Sequence, residues 1–356
     1  MMKISILVPI YGVEKHIEEC AVSLFSQSYQ DLEYIFVDDC SPDYSIEVLK
    51  NVLRRFPERE QQVTIIRHEH NRGLGAARKT ALTSATGEFV MVVDSDDVVM
   101  TDAVEKLYKQ QQQTGADIVD GAFCRLTLQG KKPAMLPYHG KKESMLRLIL
   151  LQNTLPHQLW ARLVRRSLYT ENDINSIEGV NMAEDYAVMP RLLFCGTRTY
   201  IDDVVYLYRD SDTSSFKSNI APIESRHVGS LIDANTAVFD FFRTRDTKRQ
   251  YSLPMQIGLL KVYYMSRQYA GMTADEVDKR GGFILRNKVI KWCRTFLDNA
   301  PNQMRLAYLV LKWFYKNFLL FSDKLQTLVE DGCVQQTDDN KIKRGSNDNT
   351  HQQKHP

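Results

Sequence analysis

The first hundred residues predict an α/β fold with a mostly parallel central sheet, and three observations carry that expectation. Short apolar runs, Lys3 to Ile10, Leu32 to Val37, Val63 to Arg67 and Phe89 to Val93, have strand length and suit strands covered on both faces. Between them, Ile17, Cys20, Ala21, Leu24 and Phe25 recur at helical spacing, as do Ile46, Leu49, Val52, Leu53 and Phe56. Three of the runs end in polar or acidic residues, at Pro9 to Tyr11, Asp38-Asp39 and Asp94 to Asp97. That places them on the carboxyl rim, where open α/β sheets bind ligands.

The elements follow in order. Pro9 is admissible near the end of the first strand, where a ladder hydrogen bond is no longer required, and Tyr11-Gly12 makes the turn out of it. Ser41-Pro42 fits an N-cap followed by proline at the first helical position, and that helix continues to Pro57. Asn71-Arg72-Gly73-Leu74-Gly75 opens a helix through Leu82 that leads into the Phe89 strand. Thr101 to Gln113 is an amphipathic helix stopped by Thr114-Gly115, Asp117 to Ala122 is a strand, and Gly130 to Lys142 is a Gly/Pro/Lys-rich loop. From about Pro222 the pattern changes to longer helical segments rich in Tyr, Phe and basic residues. Beyond about Asp331 there is almost nothing to bury. The expected organisation is an α/β domain over 1–220 with halves 1–100 and 101–220, a C-terminal helical extension over 221–330, and a disordered tail over 331–356.

With 356 residues, 43% of them apolar, the chain can bury one large domain plus an appendage. A net charge of +2 gives no compositional sign of a nucleic-acid groove, so no nucleic-acid partner is expected. Its six cysteines form no CxxC and no Cys/His pair at zinc spacing, which fits small buried residues in a reducing compartment. The amino terminus reaches Pro9 too soon for a signal peptide, so the expected location is cytoplasmic. Leu306 to Leu320, LAYLVLKWFYKNFLL, is too short and too interrupted by Lys312 and Lys316 to span a bilayer. Two readings stay open for it: a peripheral membrane contact at the inner face of the cell membrane, or a buried helix of a small C-terminal bundle.

Several residues carry chemistry. Asp94, Asp96 and Asp97, spaced by Ser95, offer oxygen ligands for a hard cation and the phosphates it carries; the same residues also suit a helix start. Asp38 and Asp39 read as turn residues, or as acceptors for the imide N–H of uracil or the amide edge of guanine. The Gly73-Leu74-Gly75 turn is not a dinucleotide fingerprint, because Arg78 stands where the third glycine belongs and the turn follows the third strand. It is either a tight turn with a solvated arginine or a place where backbone N–H groups and Arg78 meet an anion. His68 and His70 have no carboxylate at ligand spacing.

ISILVPIYGVEKHIEECAVSLFSQSYQDLEYIFVDDCSPD, then NRGLGAARKTAL, then ATGEFVMVVDSDD, resemble the family 2 glycosyltransferases and their GT-A fold. The match is dense over the first hundred residues and continues in islands to Arg209. It implies a nucleotide-sugar donor, UDP-linked by expectation, a Mn2+ or Mg2+ ion, and inversion at the anomeric carbon. By the same resemblance Pro9 and Tyr11 line the base and Asp38 or Asp39 binds its edge. Asp94 lies near the ribose, Asp96 coordinates the metal, and Ser95 between them also binds the nucleotide-sugar. Gly73, Arg78 and Arg209 stand as further donor ligands, with Ser214 in a loop that closes over the diphosphate.

Transfer also needs a base for the acceptor hydroxyl. Met182-Ala183-Glu184-Asp185-Tyr186 looks like the family's Glu-Asp element, with Asp185 as base and Glu184 as an acceptor or structural contact. A charged helix start is the plainer alternative, and Pro190 would kink the helix that follows. Gln158 to Tyr169 resembles the family's Trp-containing segment, where Trp160 is either core or a sugar platform. The expected acceptor is a glycan or lipid-linked hydroxyl, as in bacterial surface polysaccharide synthesis. A non-catalytic nucleotide-sugar binder or membrane-docked assembly protein of the same fold is the rival.

Overall fold

The computed structural model describes residues 2–127, 130–152, 155, 157–209, 225–269 and 271–281, with 309, 310, 312, 313 and 317. Met1–Tyr308 is one compact unit and Leu309–Pro356 another. The first holds a sheet of nine strands: β1 (Ile4–Ile10), β2 (Leu32–Asp38), β3 (Val63–Arg67), β4 (Phe89–Val92), β5 (Val98–Val99), β6 (Ile118–Thr127), β7 (Gly130–Lys131), β8 (Arg162–Arg165) and β9 (Arg198–Arg209). They run in the order β3-β2-β1-β4-β8-β6-β9-β5, with β7 on β6.

The sheet has two characters. From β3 to β4 every pairing is parallel, as right-handed βαβ crossovers through α1 (Ile17–Phe25), α2 (Ser45–Leu53) and α3 (Leu74–Ser84) require. Beyond β4 the sheet is mixed: β8 inserts antiparallel to both β4 and β6, β9 runs parallel to β6, and β5 is antiparallel to β9. Only a few residues separate β4 from β5, and they turn tightly, with Asp97 N–H donating to Asp94 O at 3.1 Å. Four strand spacings of about 4.8 Å lie between those two strands along the sheet. The far edge must therefore curl back beside the end of β4, which brings β9 over the Asp94–Asp97 turn.

β1 is buried along its whole length. Ile4, Ile6, Val8 and Ile10 pack with Phe25, Tyr34, Phe36, Phe89 and Met91 in a core that extends to Trp160 and Tyr206. Arg59 closes this half from below, donating to the carbonyls of Phe25 at 3.1 Å and Gln27 at 2.7 Å. On the other half α4 (Ala103–Thr114), α5 (Lys142–Leu150), α6 (Arg166–Thr170) and α7 (Glu184–Cys195) flank the sheet. α8 (Ser225–Arg245), α9 (Ser252–Tyr269) and α10 (Ala274–Gly281) form a helical layer, in which α8 packs on α7 and Phe194 meets Phe241, Phe242 and Tyr251 edge-on.

Local readings shift in three places. α2 starts at Ser45 rather than at Ser41-Pro42, because that segment instead buttresses the exit of β1. Ser41 Oγ accepts from Gly12 N–H at 3.3 Å, Ser45 Oγ from Val13 N–H at 3.0 Å and Asp43 Oδ2 from Glu14 N–H at 3.0 Å. The Gly130 to Lys142 stretch is partly ordered: β7 pairs with β6, Met135 bridges to Phe123, and α5 begins at Lys142. α7 runs on through Pro190, downstream of the acidic pair. Of Leu306 to Leu320 only five residues are described, all helical; Ser214 and the tail beyond Asp331 lie outside the described residues. Among the described residues, no helix is long and apolar enough to cross a membrane.

Candidate active site

Three segments meet at the carboxyl rim: the end of β2, the turn after β4, and the start of α7. The segment that joins them is α3. Its entry turn has Gly73 at φ +86°, a left-handed value that glycine adopts without steric cost. Asp39, buried at the end of β2, accepts from the backbone N–H of Arg72 at 2.9 Å and of Gly73 at 2.7 Å, and its Oδ1 lies 2.6 Å from His68 Nδ1. The other ring nitrogen of His68 reaches Thr80 on α3 at 2.9 Å. Asp38 is equally engaged, accepting from Ser41 N–H at 2.8 Å and pairing with Arg67 at 3.3 Å.

The glycines of this turn are required by close approach. A Cβ at Gly75 would overlap the carbonyl oxygen of Ile177, and one at Gly73 would meet the Asn181 side-chain oxygen at 2.5 Å. Arg72 reinforces the same contact with two hydrogen bonds to Glu178, at 3.0 and 2.9 Å. Residues 177–181 therefore dock on the start of α3 and deliver Glu184 and Asp185 to the rim. Ala183, just before them, has φ +63°, an uncommon backbone for a residue with a Cβ that persists when its surroundings over-determine it.

One helical turn beyond Gly75 on the same face of α3, Arg78 is buried among carboxylates. It donates through one Nη to Asp94 Oδ1 at 2.8 Å and through the other to Asp185 Oδ1 at 2.6 Å, and Glu184 lies 3.6 Å from the latter nitrogen. Burial alone would lower its pKa, but Asp185, Asp94 and Glu184 outweigh that and hold the guanidinium charged. Burial, then the charge of Asp185, pushes Glu184 up to about 7.

The Asp94–Asp97 turn is held by β9. Tyr206 Oη accepts from Asp94 N–H at 3.1 Å and donates to Asp97 Oδ2 at 2.8 Å, and the other Asp97 oxygen accepts from Arg209 N–H at 2.7 Å. Trp160 stacks on Tyr206 and Tyr208, with centroids 4.7 and 5.2 Å apart, so it is a core residue and no sugar platform. Arg209 donates from Nε to the Asp96 carbonyl at 2.8 Å and pairs with Glu19 on α1. Cys20 sits under the turn, its Sγ 3.8 Å from Asp94 O. Asp96 differs from its neighbours: apart from its own backbone N–H, no donor among the described residues holds its carboxylate. Burial, and then Asp94, pushes it up to about 6. Ser95 is buried, Pro9 is buried at the end of β1, and Tyr11 is half exposed at the mouth.

A cation fits this donor set. Among the described residues no group of three His, Cys, Asp or Glu side chains is placed to hold a metal ion, so an ion here would take one or two protein oxygens and complete its shell with phosphate and water, as magnesium usually does. Asp96 is the carboxylate free to serve. Residue types and spacing expose the rim acids in the sequence; the parts they do not mark are Tyr206, the 177–181 dock and the partners of Arg78. The two tyrosines at alternate positions of β9 are the one local signal, since they place two rings on one strand face.

Residues 5–169 match the family model described as Glycosyl transferase family 2. Glycosyltransferase GlyG of Streptococcus pneumoniae is 26% identical over 295 residues, 77% of this chain and 91% of that protein. Poly(ribitol-phosphate) beta-N-acetylglucosaminyltransferase TarS of Staphylococcus aureus is 28% identical over 212 residues, 58% of this chain and 35% of TarS. The structure of TarS 1-349 in complex with UDP-GlcNAc superposes with a TM-score of 0.62 at 18% identity, covering 89% of this chain and 92% of that one. The fold and the match together define a GT-A transferase. Residues 5–169, a little under half of the chain, are similar to glycosyltransferase family 2, and the fold is that of the GT-A transferases.

Proposed function

We propose that this glycosyltransferase moves a sugar from a UDP-linked donor to a hydroxyl of a glycan or lipid-linked polymer acceptor, with inversion at the anomeric carbon. The observation that carries the reading is the single guanidinium of Arg78 touching both Asp94 and Asp185, which gathers a donor-side acid and an acceptor-side acid into one site. Relatives named as poly(ribitol-phosphate) glycosyltransferases, and a similarly folded one solved with UDP-GlcNAc, support the donor and acceptor classes.

In this reading Tyr11 and Pro9 flank the nucleobase and Asp38 or Asp39 meets its edge. Asp96 would hold Mn2+ or Mg2+, which supplies charge neutralisation for the departing diphosphate. Asp185 takes the proton of the acceptor hydroxyl as the oxygen attacks, and Glu184, beside it, contacts the acceptor. One base on the face opposite the leaving group gives a single displacement, so an α-linked donor yields a β-linked product. A non-catalytic binder has no use for an acid pair held at Asp94's elbow. Replacing Asp185 by Asn tests the reading: turnover should fall by about 10²- to 10⁴-fold while UDP affinity and melting temperature stay close to the parent's. Undiminished transfer, or an α-linked product, removes Asp185 from the mechanism.

A further inference from the structure

We infer that Arg78 is a positioning residue whose forked guanidinium fixes the span between Asp94 on the donor side and Asp185 on the acceptor side. The inference rests on the reading of Asp185 as base, and it gives Arg78 a task other than gripping phosphate.

Three observations carry it. First, both Nη atoms are committed, at 2.8 Å to Asp94 and 2.6 Å to Asp185, while Nε is buried with no partner among the described residues. A side chain there only to balance charge would be expected to use its donors more fully. The fork instead spends its two ends on carboxylates 91 residues apart in sequence (185 minus 94). Second, the guanidinium is itself fixed. α3 is pinned at its start by Asp39 to the N–H groups of Arg72 and Gly73, and Gly75, on the same face as Arg78, receives Ile177 from the segment that carries Asp185. The base segment thus meets α3 at two points one turn apart. Third, Ala183 is held in a left-handed conformation immediately before the acid pair. The tether is therefore strong enough to impose an uncommon backbone where the base emerges.

A planar fork is the chemistry this job needs. Arginine presents its donors in fixed relative positions, whereas lysine is a point charge on a flexible stem that satisfies one carboxylate at a time. The Arg78→Lys variant keeps the charge and loses the span. UDP release is followed with whichever of UDP-glucose, UDP-galactose and UDP-GlcNAc reacts fastest, in the parent, Arg78→Lys, Asp185→Asn and the double variant. The expected result is a kcat about 10²-fold lower in Arg78→Lys, the scale of a displaced catalytic group, with donor KM and UDP affinity nearly unchanged. In the Asp185→Asn background the same substitution should cost little more. If Arg78→Lys does not fold, Arg78→Gln combined with Asp185→Asn removes the shorter ion pair as a unit, and it should match Asp185→Asn alone. A raised donor KM with intact kcat overturns the inference, because Arg78 then touches the donor. So do losses that multiply in the double variant. Asp185→Asn by itself decides the underlying reading: undiminished turnover there overturns both, whereas a full loss there with multiplying losses in the double overturns only the role of Arg78.

Discussion

The two acidic clusters on the rim are built in opposite ways. Asp38 and Asp39 are both paired: between them they hold the N–H groups of Ser41, Arg72 and Gly73, the His68 ring and Arg67. Asp94 and Asp97 are likewise engaged, by Arg78, Tyr206 and the Arg209 backbone. Asp96, in the middle of the second cluster, meets no donor among the described residues but its own N–H, and burial and then Asp94 push it up to about 6. A buried acceptor that is fully paired stabilises the loop around it, whereas one left open costs stability until something binds. Acid count does not tell these apart; partner count does.

The largest effect that would break the comparison lies at Asp39. Asp39→Ala orphans the Arg72 N–H, leaves the Gly73 N–H with only Asn71 Oδ1 at 3.0 Å and strips His68 Nδ1 of its partner, and should destabilise the protein by about 2–4 kcal/mol, since each buried group left unpaired costs about 1–3 kcal/mol. Chemical denaturation measures this, and a loss below about 1 kcal/mol would mean that its hydrogen bonds are not what holds the turn. Tyr206→Phe comes next. It strips the hydroxyl shared by Asp94 N–H and Asp97, so a loss of about 1–2 kcal/mol is expected, with Trp160 stacking retained in near-UV circular dichroism. Asp96→Asn is smallest and of opposite sign. A carboxyl of ordinary value 3.8 that sits near 6 when folded is ionised against the fold at neutral pH. Its replacement should therefore stabilise, on the order of 1 kcal/mol after solvent screening. That gain should be full well above pH 6, fade as pH falls from about 6 towards 3.8, and vanish below that, where the parent's carboxyl is protonated in both states. A melting-temperature series across that range checks the sign.

The parallel half was legible because its signals are local. Each of β1 to β4 is an apolar run, and acids stand directly at the ends of β2 and β4. The rest depends on partners far apart in the chain. β8, Arg162-Leu-Val-Arg165, has charged ends and only two apolar residues, so nothing marks it as the strand that reverses the sheet's direction. β5 is two residues long and is defined by β9, more than a hundred residues later. Arg78 reads as a solvated or phosphate-facing side chain until Asp185, 107 residues on, is brought against it. The glycines at 73 and 75 show the same limit: their turn is visible in sequence, but the reason for two of them is the approach of Ile177 and Asn181. Ser41-Pro42 misled for a related reason, since its hydroxyl caps the loop leaving β1 instead of its own helix.

The central claim is that the open carboxylate of Asp96 is the one prepared for a cation and its phosphates. Calorimetric titration of UDP into the parent and into Asp96→Asn, each with and without manganese, tests it most directly. Manganese should tighten UDP binding to the parent, and Asp96→Asn should bind UDP with the same metal-free affinity but gain nothing from manganese. A variant that keeps the full manganese enhancement would contradict the account and move the metal to Asp94 or Asp97.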